Sequence, residues 1–307
     1  MKKILIVIIA LLFIMPFASE NAGTAAGAFL KIGVGAKPSA LGDAFIGLAD
    51  DNNAILYNPS GIAFFEKASF SFTHLNWIAD TTINAASVVY GLEGIGTFGL
   101  LWNGLNYGTL IGMDDEGNPT EDFTPTDNLI ALAFARKINE TMSAGLNLKY
   151  IFSTIQDYTA STVAFDLGFM YKTLIAERDL GIGLSIKNLG GKMKYDTEGD
   201  SLPMYFGLGF SYHILQSETN NITACLDMGK SSDTDMKYGM GVEYRFMDYV
   251  AIRLGYKAGD YDVEGFSGGL GAGYTMENGM RFSLDYAYGS TIEAFKDVHR
   301  ITFNFSF

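Results

Sequence analysis

From residue 67 onward, apolar and polar side chains alternate with a period of two. In Met280–Tyr288, Met280, Phe282, Leu284, Tyr286 and Tyr288 share one parity, and Arg281, Ser283, Asp285 and Ala287 the other. The last seven residues repeat the pattern, with Ile301, Phe303, Phe305 and Phe307 opposing Thr302, Asn304 and Ser306. Successive side chains of a strand point to opposite faces, so each segment is a strand with one greasy and one polar side. Fourteen such segments fit between 67 and 307, among them 141–154, 160–174, 179–188 and 202–214. Their connections alternate between tight turns (Glu93-Gly94, Asn139-Glu140, Met247-Asp248, Glu277-Asn278-Gly279) and longer segments (107–126, 189–201, 259–264, 289–296).

A soluble sandwich would bury the greasy faces, whereas a membrane barrel turns them to lipid and the polar faces to its lumen. Two features favour the barrel. Aromatics close many strands, as at Tyr171, Phe246, Tyr256 and Tyr288, and the polar faces carry Gly and isolated charges rather than dense Lys and Glu. An all-β, transmembrane antiparallel barrel of about fourteen strands is therefore expected over 67–307. The uncharged stretch 94–113 contains six Gly and two Asn and makes a poor helix, so it is read as strand and loop.

The first 66 residues differ. Lys2 and Lys3 precede an uncharged apolar run, Ile4 to Phe17, followed by small residues. This is the layout of a secretory signal peptide, expected over 1–22. Residues 23–66 are compact and small, and suggest a plug or periplasmic cap. Within them Ser39 could cap a helix whose face is Ala40, Leu41, Ala44, Phe45 and Leu48. Asp50 and Asp51 would end it, and Asn58, Pro59 and Gly61 belong to a turn.

Composition narrows the function. The chain has 307 residues, 36 of them Gly, with one Cys and a formal charge of −13. A nucleic-acid partner is excluded by the sign of the charge and by the lack of a basic stripe. A disulfide scaffold is impossible with Cys225 alone. His74, His213 and His299 show no ligand spacing, and no nucleophile–base set is visible. Neither a metal, a cofactor nor an enzyme activity is expected. The acidic loop holding Asp114, Asp115, Glu116, Glu121, Asp122 and Asp127 reads as a solvated surface, with a divalent-cation bridge as the alternative. The charges on polar faces are Lys149, Asp166, Lys187, Glu243, Arg245, Arg253, Asp285 and Arg300. They form a candidate lumen network, either a polar pathway or a paired set that rigidifies the barrel.

Several blocks in order carry a resemblance. They are Gly33–Phe45, Ala49–Asp51 and Tyr57–Gly61, then Asp115–Gly117, Gly145–Lys149, Asp166–Gly168, Asn188–Gly190, Arg253–Tyr256, Leu284–Tyr288 and His299–Arg300. Together they resemble the PorV/PorQ family of outer-membrane proteins, whose barrels are similar to FadL. The resemblance implies the outer membrane of a Gram-negative-type bacterium. It also implies a binding or shuttle role linked to type IX secretion, with secreted cargo or secretion components as partners. No cargo-binding residue carries over by motif. The alternative is a FadL-like passive channel for hydrophobic solutes. The alternating Ile301, Phe303, Phe305 and Phe307 resemble the terminal signal read by the barrel-assembly machinery.

Overall fold

The computed structural model describes residues 23–259, 265–291 and 296–307. The expected signal peptide lies outside the described residues. Sixteen strands follow one another: β1 (Ala68–Asn76), β2 (Thr82–Leu92), β3 (Gly96–Asn106), β4 (Thr126–Lys137), β5 (Met142–Ile155), β6 (Tyr158–Ile175), β7 (Arg178–Gly190), β8 (Lys192–Lys194), β9 (Gly199–Ser201), β10 (Tyr205–Gln216), β11 (Asn220–Ser231), β12 (Met236–Phe246), β13 (Val250–Gly259), β14 (Phe266–Thr275), β15 (Arg281–Gly289) and β16 (Val298–Ser306). Fourteen close into one antiparallel barrel, and β8 and β9 form a separate two-stranded hairpin. Closure joins β16 to β1, with Ser69 opposite Ser306 and Asn76 opposite His299. Among the described residues no helix is long and apolar enough to cross a membrane.

The strands exceed their expected lengths where turns are tightest. The β6–β7 connection is only Ala176-Glu177, both at positive φ (51° and 62°), and Met247-Asp248 repeats this at 47° and 56°. Two consecutive left-handed residues give the hairpin twist that matches the flanking strands. The segment 189–201, read as a loop, instead extends β7 to Gly190 and forms the β8–β9 hairpin. A bulge between Phe165 and Leu167 accompanies that extension, and Asn188 sits at φ 61°.

Residues 23–66 run along the lumen. Ala26 N–H donates to Ser201 O and Lys31 reaches Asp233, both at the end with the longer connections. At the other end Ser143 Oγ donates to Ser60 O and Thr97 Oγ1 to Phe65 O. In between lie two short helices, α1 (Ala36–Ala40) and α2 (Ala54–Tyr57), and a 3-10 turn at Pro59–Phe64. The helix expected from Ser39 onward is corrected. Ser39 lies inside α1, its Oγ is buried without a partner, and the chain after Leu41 turns at Gly42 (φ 67°). The reason is steric: Gly42 presses on the wall, where an added Cβ would lie 2.6 Å from Tyr256 O. The wall replies with its own glycines; a Cβ at Gly241 would stand 2.5 Å from Leu41 O. Asn58 does not make a simple turn but caps the 3-10 segment, accepting from Ser60 Oγ at 2.7 Å.

The lumen holds the core, and it has two characters. Phe29, Val34, Ile55 and Ile62 of the inner segment pack on Leu75, Ile83, Val89, Leu101, Leu129 and Ile151 of the wall. The opposite wall, from β12 to β16, carries buried Glu243, Arg253, Asp285 and Arg300.

The outer surface of β1–β4 is layered by register. Phe70, Val88, Leu100 and Leu132 form one apolar row, and Phe72, Ala86, Trp102 and Ile130 the next. Beyond these, toward the long-connection end, the row is His74, Asn84, Gly104 and Asn128, and then Asn76, Thr82, Asn106 and Thr126. At this level the inward side is apolar, with Leu75, Ile83, Leu105 and Leu129 all buried. The usual barrel polarity is inverted there.

Candidate functional site

The eight charges expected in the lumen separate into groups. On β12, β13 and β15, Arg253 bridges Glu243 (Nε–Oε2, 2.6 Å) and Asp285 (Nη1–Oδ1, 2.6 Å). Arg245 joins Glu243 at 2.7 Å, and Asn304 donates to Asp285 Oδ2 at 3.2 Å. On β5 and β6, Lys149 pairs with Asp166 at 2.6 Å and also donates to Asn188 Oδ1. Asp166 further accepts from the Asn188 backbone N–H (2.8 Å) and Asn147 Nδ2 (2.9 Å). Buried charges persist only when paired and hydrogen-bonded, and these are.

Lys187 and Arg300 stand apart from both groups. Lys187 Nζ lies over the rings of Tyr205 (4.5 Å) and Tyr57 (5.6 Å). Arg300, fully buried, donates to Gly33 O at 3.2 Å and faces the Trp77 ring at 5.5 Å.

The structure adds residues that the sequence reading did not single out. Asp227 Oδ2 accepts the backbone N–H groups of Phe45 and Ile46, each at 2.7 Å. Asp43 Oδ1 accepts from Tyr57 O–H at 2.6 Å, and its Oδ2 meets Lys257 at 2.5 Å. Asn147 Nδ2 donates to Ile55 O at 2.6 Å, and Asn58 Nδ2 to Ile46 O at 2.9 Å. The signal for Asp227 was present: it shares parity with Thr223 and Cys225 on β11. Its partner could not be read, because 182 residues separate it from Phe45. Cys225 is a free thiol buried among Leu41, Ala44, Phe45, Leu48 and Tyr57.

At the short-turn end a cavity of about 460 Å³ is lined by Lys37, Asp50, Asp51, Arg245, Arg253 and Asp285. Asp50 and Lys37 meet at 2.7 Å through both carboxylate oxygens. Burial would push the Asp50 carboxyl upward, but the cations of Lys37 and Arg245 outweigh it and hold Asp50 below its ordinary range. Asp51 has only the Asn53 backbone N–H (2.8 Å), and burial pushes its carboxyl up to about 6, the Asp50 charge adding to the shift against Lys37.

At the long-connection end a cavity of about 400 Å³ is lined by Phe29, Ile32, Trp77, Ile78, Leu105 and Tyr107, with Lys31, Lys237 and Lys257 at its polar edge. It adjoins a smaller cavity of about 100 Å³ that shares Phe29 and Ile32 and reaches Asn103, Lys187, Tyr205 and Asp227. The outer cavity takes its apolar lining from Phe29 and Ile32 of the inner segment, from Trp77, Ile78 and Tyr107 of the connections, and from Leu105, which belongs to the inverted level of β1–β4. The sequence signature of that inverted level is a slip of phase, as in Phe70 and Phe72 followed by Leu75 rather than by an apolar residue at 74.

The acidic loop turns on itself. Asp114 Oδ1 accepts the N–H groups of Glu116 (3.0 Å) and Asn118 (2.8 Å), and Leu110 bridges Phe123. Those bonds with Asn118 hold the Asp114 carboxyl below its ordinary range. Among the described residues no three His, Cys, Asp or Glu side chains come together as a metal site. Barrel closure does bring His74 of β1 and His299 of β16 onto neighbouring strands, a proximity that sequence distance concealed.

No protein-family model matches the sequence, and a search of curated proteins returns no match. Solved structures do match. The toluene transporter TbuX of Ralstonia pickettii is similar at a TM-score of 0.58 and 12% identity, over 89% of this chain and 97% of that one. The toluene transporter TodX of Pseudomonas putida follows at 0.57 and 11%, over 83% and 93%. The monoaromatic hydrocarbon channel CymD matches at 0.54 and 12%, over 89% and 96%. At these identities the likeness is one of fold, and the PorV/PorQ resemblance stays with the sequence blocks alone. The fold of this chain is a closed fourteen-stranded antiparallel barrel similar to the barrels of these channels.

Proposed function

We propose that the protein is an outer-membrane channel that admits small hydrophobic solutes, with the long connections outside and the short turns in the periplasm. The supporting observation is the apolar cavity of about 400 Å³ at the long-connection mouth. An apolar pocket with a few polar groups at its edge is the usual form of a small-molecule site. Its position at the mouth of a barrel built like the hydrocarbon channels supports the same reading. The inner segment acts as the plug: it fills the lumen below the cavity, so passage requires it to shift locally.

The secretion role implied by the sequence resemblance is less favoured. Cargo would engage outer connections, yet three of these span only 77–81, 156–157 and 232–235.

The test uses Trp77, which lines the cavity; Trp102 of the outer surface is replaced, W102F. Titration of the purified barrel with toluene or octanol is expected to quench Trp77 saturably. I78E should abolish saturation by placing a charge in the apolar lining. A linear quench of equal slope in both proteins would overturn the proposal. In cells, uptake of a monoaromatic compound across the outer membrane should depend on expression of the barrel.

A further inference from the structure

We propose that the polar rows on the outer wall of β1–β4 bind the neutral sugars of a glycolipid head group. The inference uses the orientation given above but not the channel reading. Polar groups facing hydrocarbon are costly, so a wall that changes from Phe72, Ala86 and Trp102 to amides and imidazole within one register step marks the edge of the apolar layer. What stands opposite these rows is head-group material.

The chemistry of the rows selects its kind. No Lys, Arg, Asp or Glu occupies them, whereas recognition of a phosphate calls for Arg or Lys. Carboxamides both donate and accept, as sugar hydroxyls do. His74 lies between two of them, its Nδ1 2.8 Å from Asn84 Oδ1 and its Nε2 3.2 Å from Asn76 Oδ1, and a neutral imidazole donates to one of these oxygens at a time. The amide whose oxygen accepts from the ring keeps its nitrogen as a donor to an outside ligand.

Trp102 supplies the platform. Its indole lies over Gly104, where an added Cβ would be 2.7 Å from the ring, and its Nε1 donates to Asn128 Oδ1 at 3.2 Å. The residue remains 40% exposed. One face of the ring therefore rests on the strand while the other is open beside the amides. A flat aromatic face flanked by hydrogen-bonding amides suits the C–H face and hydroxyl rim of a sugar ring.

The test is native mass spectrometry of the full-length barrel released in mild detergent. It is titrated with lipopolysaccharide carrying its core sugars, with the bisphosphorylated diglucosamine lipid anchor stripped of those core sugars, and with phosphatidylethanolamine. The lipid bearing the core sugars is expected to bind about tenfold more tightly than either of the others. The triple variant H74L/N84L/N128L should lose that preference. N84A and W102L, each changing one exposed side chain, should lose severalfold, which keeps the test open if the triple variant does not fold. Equal binding of the anchor without core sugars would overturn the proposal, as would wild-type preference in all the variants. None of these substitutions except W102L alters an indole, and quenching of Trp77 by toluene in N84A/W102F reports the channel reading separately.

Discussion

Replacement of Asp227 by Ala should loosen the inner segment while leaving the barrel closed. Asp227 projects from β11 into the lumen, and its Oδ2 holds the N–H groups of Phe45 and Ile46 at 2.7 Å. Both residues are almost fully buried, so no water replaces the lost acceptor. An orphaned buried donor costs roughly 1–3 kcal/mol, so two of them disfavour the seated turn by about 2–6 kcal/mol. Removal of the carboxylate also relieves its own burial, which moves the expected effect toward the lower end. The assay is hydrogen–deuterium exchange on the folded protein in detergent. At about 2 kcal/mol, exchange at Phe45 and Ile46 should rise roughly thirtyfold. Amides within β3, paired on both sides, should not change. Asp227→Asn retains an acceptor and should fall between wild type and D227A. Unchanged exchange at Phe45 and Ile46 in D227A would refute the view that this carboxylate anchors the segment.

Three further outcomes follow from the same contacts. Arg253→Met leaves Glu243 and Asp285 buried without their shared cation and should cost about 3–5 kcal/mol in denaturant unfolding, much of it restored in E243Q/R253M/D285N. The Asp51 carboxyl titrates near 6 in the folded protein against an ordinary 3.8. The unfolded chain therefore releases its proton first, and this group's contribution to stability is greatest below about pH 4, declines through the interval to 6 and is flat above. The difference in Tm between wild type and D51N across that interval should show this slope, and a flat difference would refute it. Deletion of Ile301–Phe307 removes most of the part of β16 that pairs with both β1 and β15, so no heat-modifiable barrel should form in cells.

The barrel was legible because its determinants are local. Alternation within ten residues assigns a strand, and the phase of Tyr286 against Asp285 says which side meets lipid. Counting such segments reaches fourteen without any knowledge of pairing. Loop 189–201 was misread because β8 and β9 are three residues each and too short to show a period. The helix expected after Ser39 failed for a tertiary reason: Gly42 must lie against the β12 and β13 backbones, and a continued helix could not place it there.

Sequence alone determined the strands and the parity of their apolar faces, since each depends on neighbours a few positions apart. Only the tertiary structure decided how Asp227 meets Phe45, how Arg253 joins Glu243 to Asp285, and how four strands align His74, Asn84, Gly104 and Asn128 in one row. Those contacts join residues tens to hundreds of positions apart, and they exist only once the barrel has closed and fixed its register.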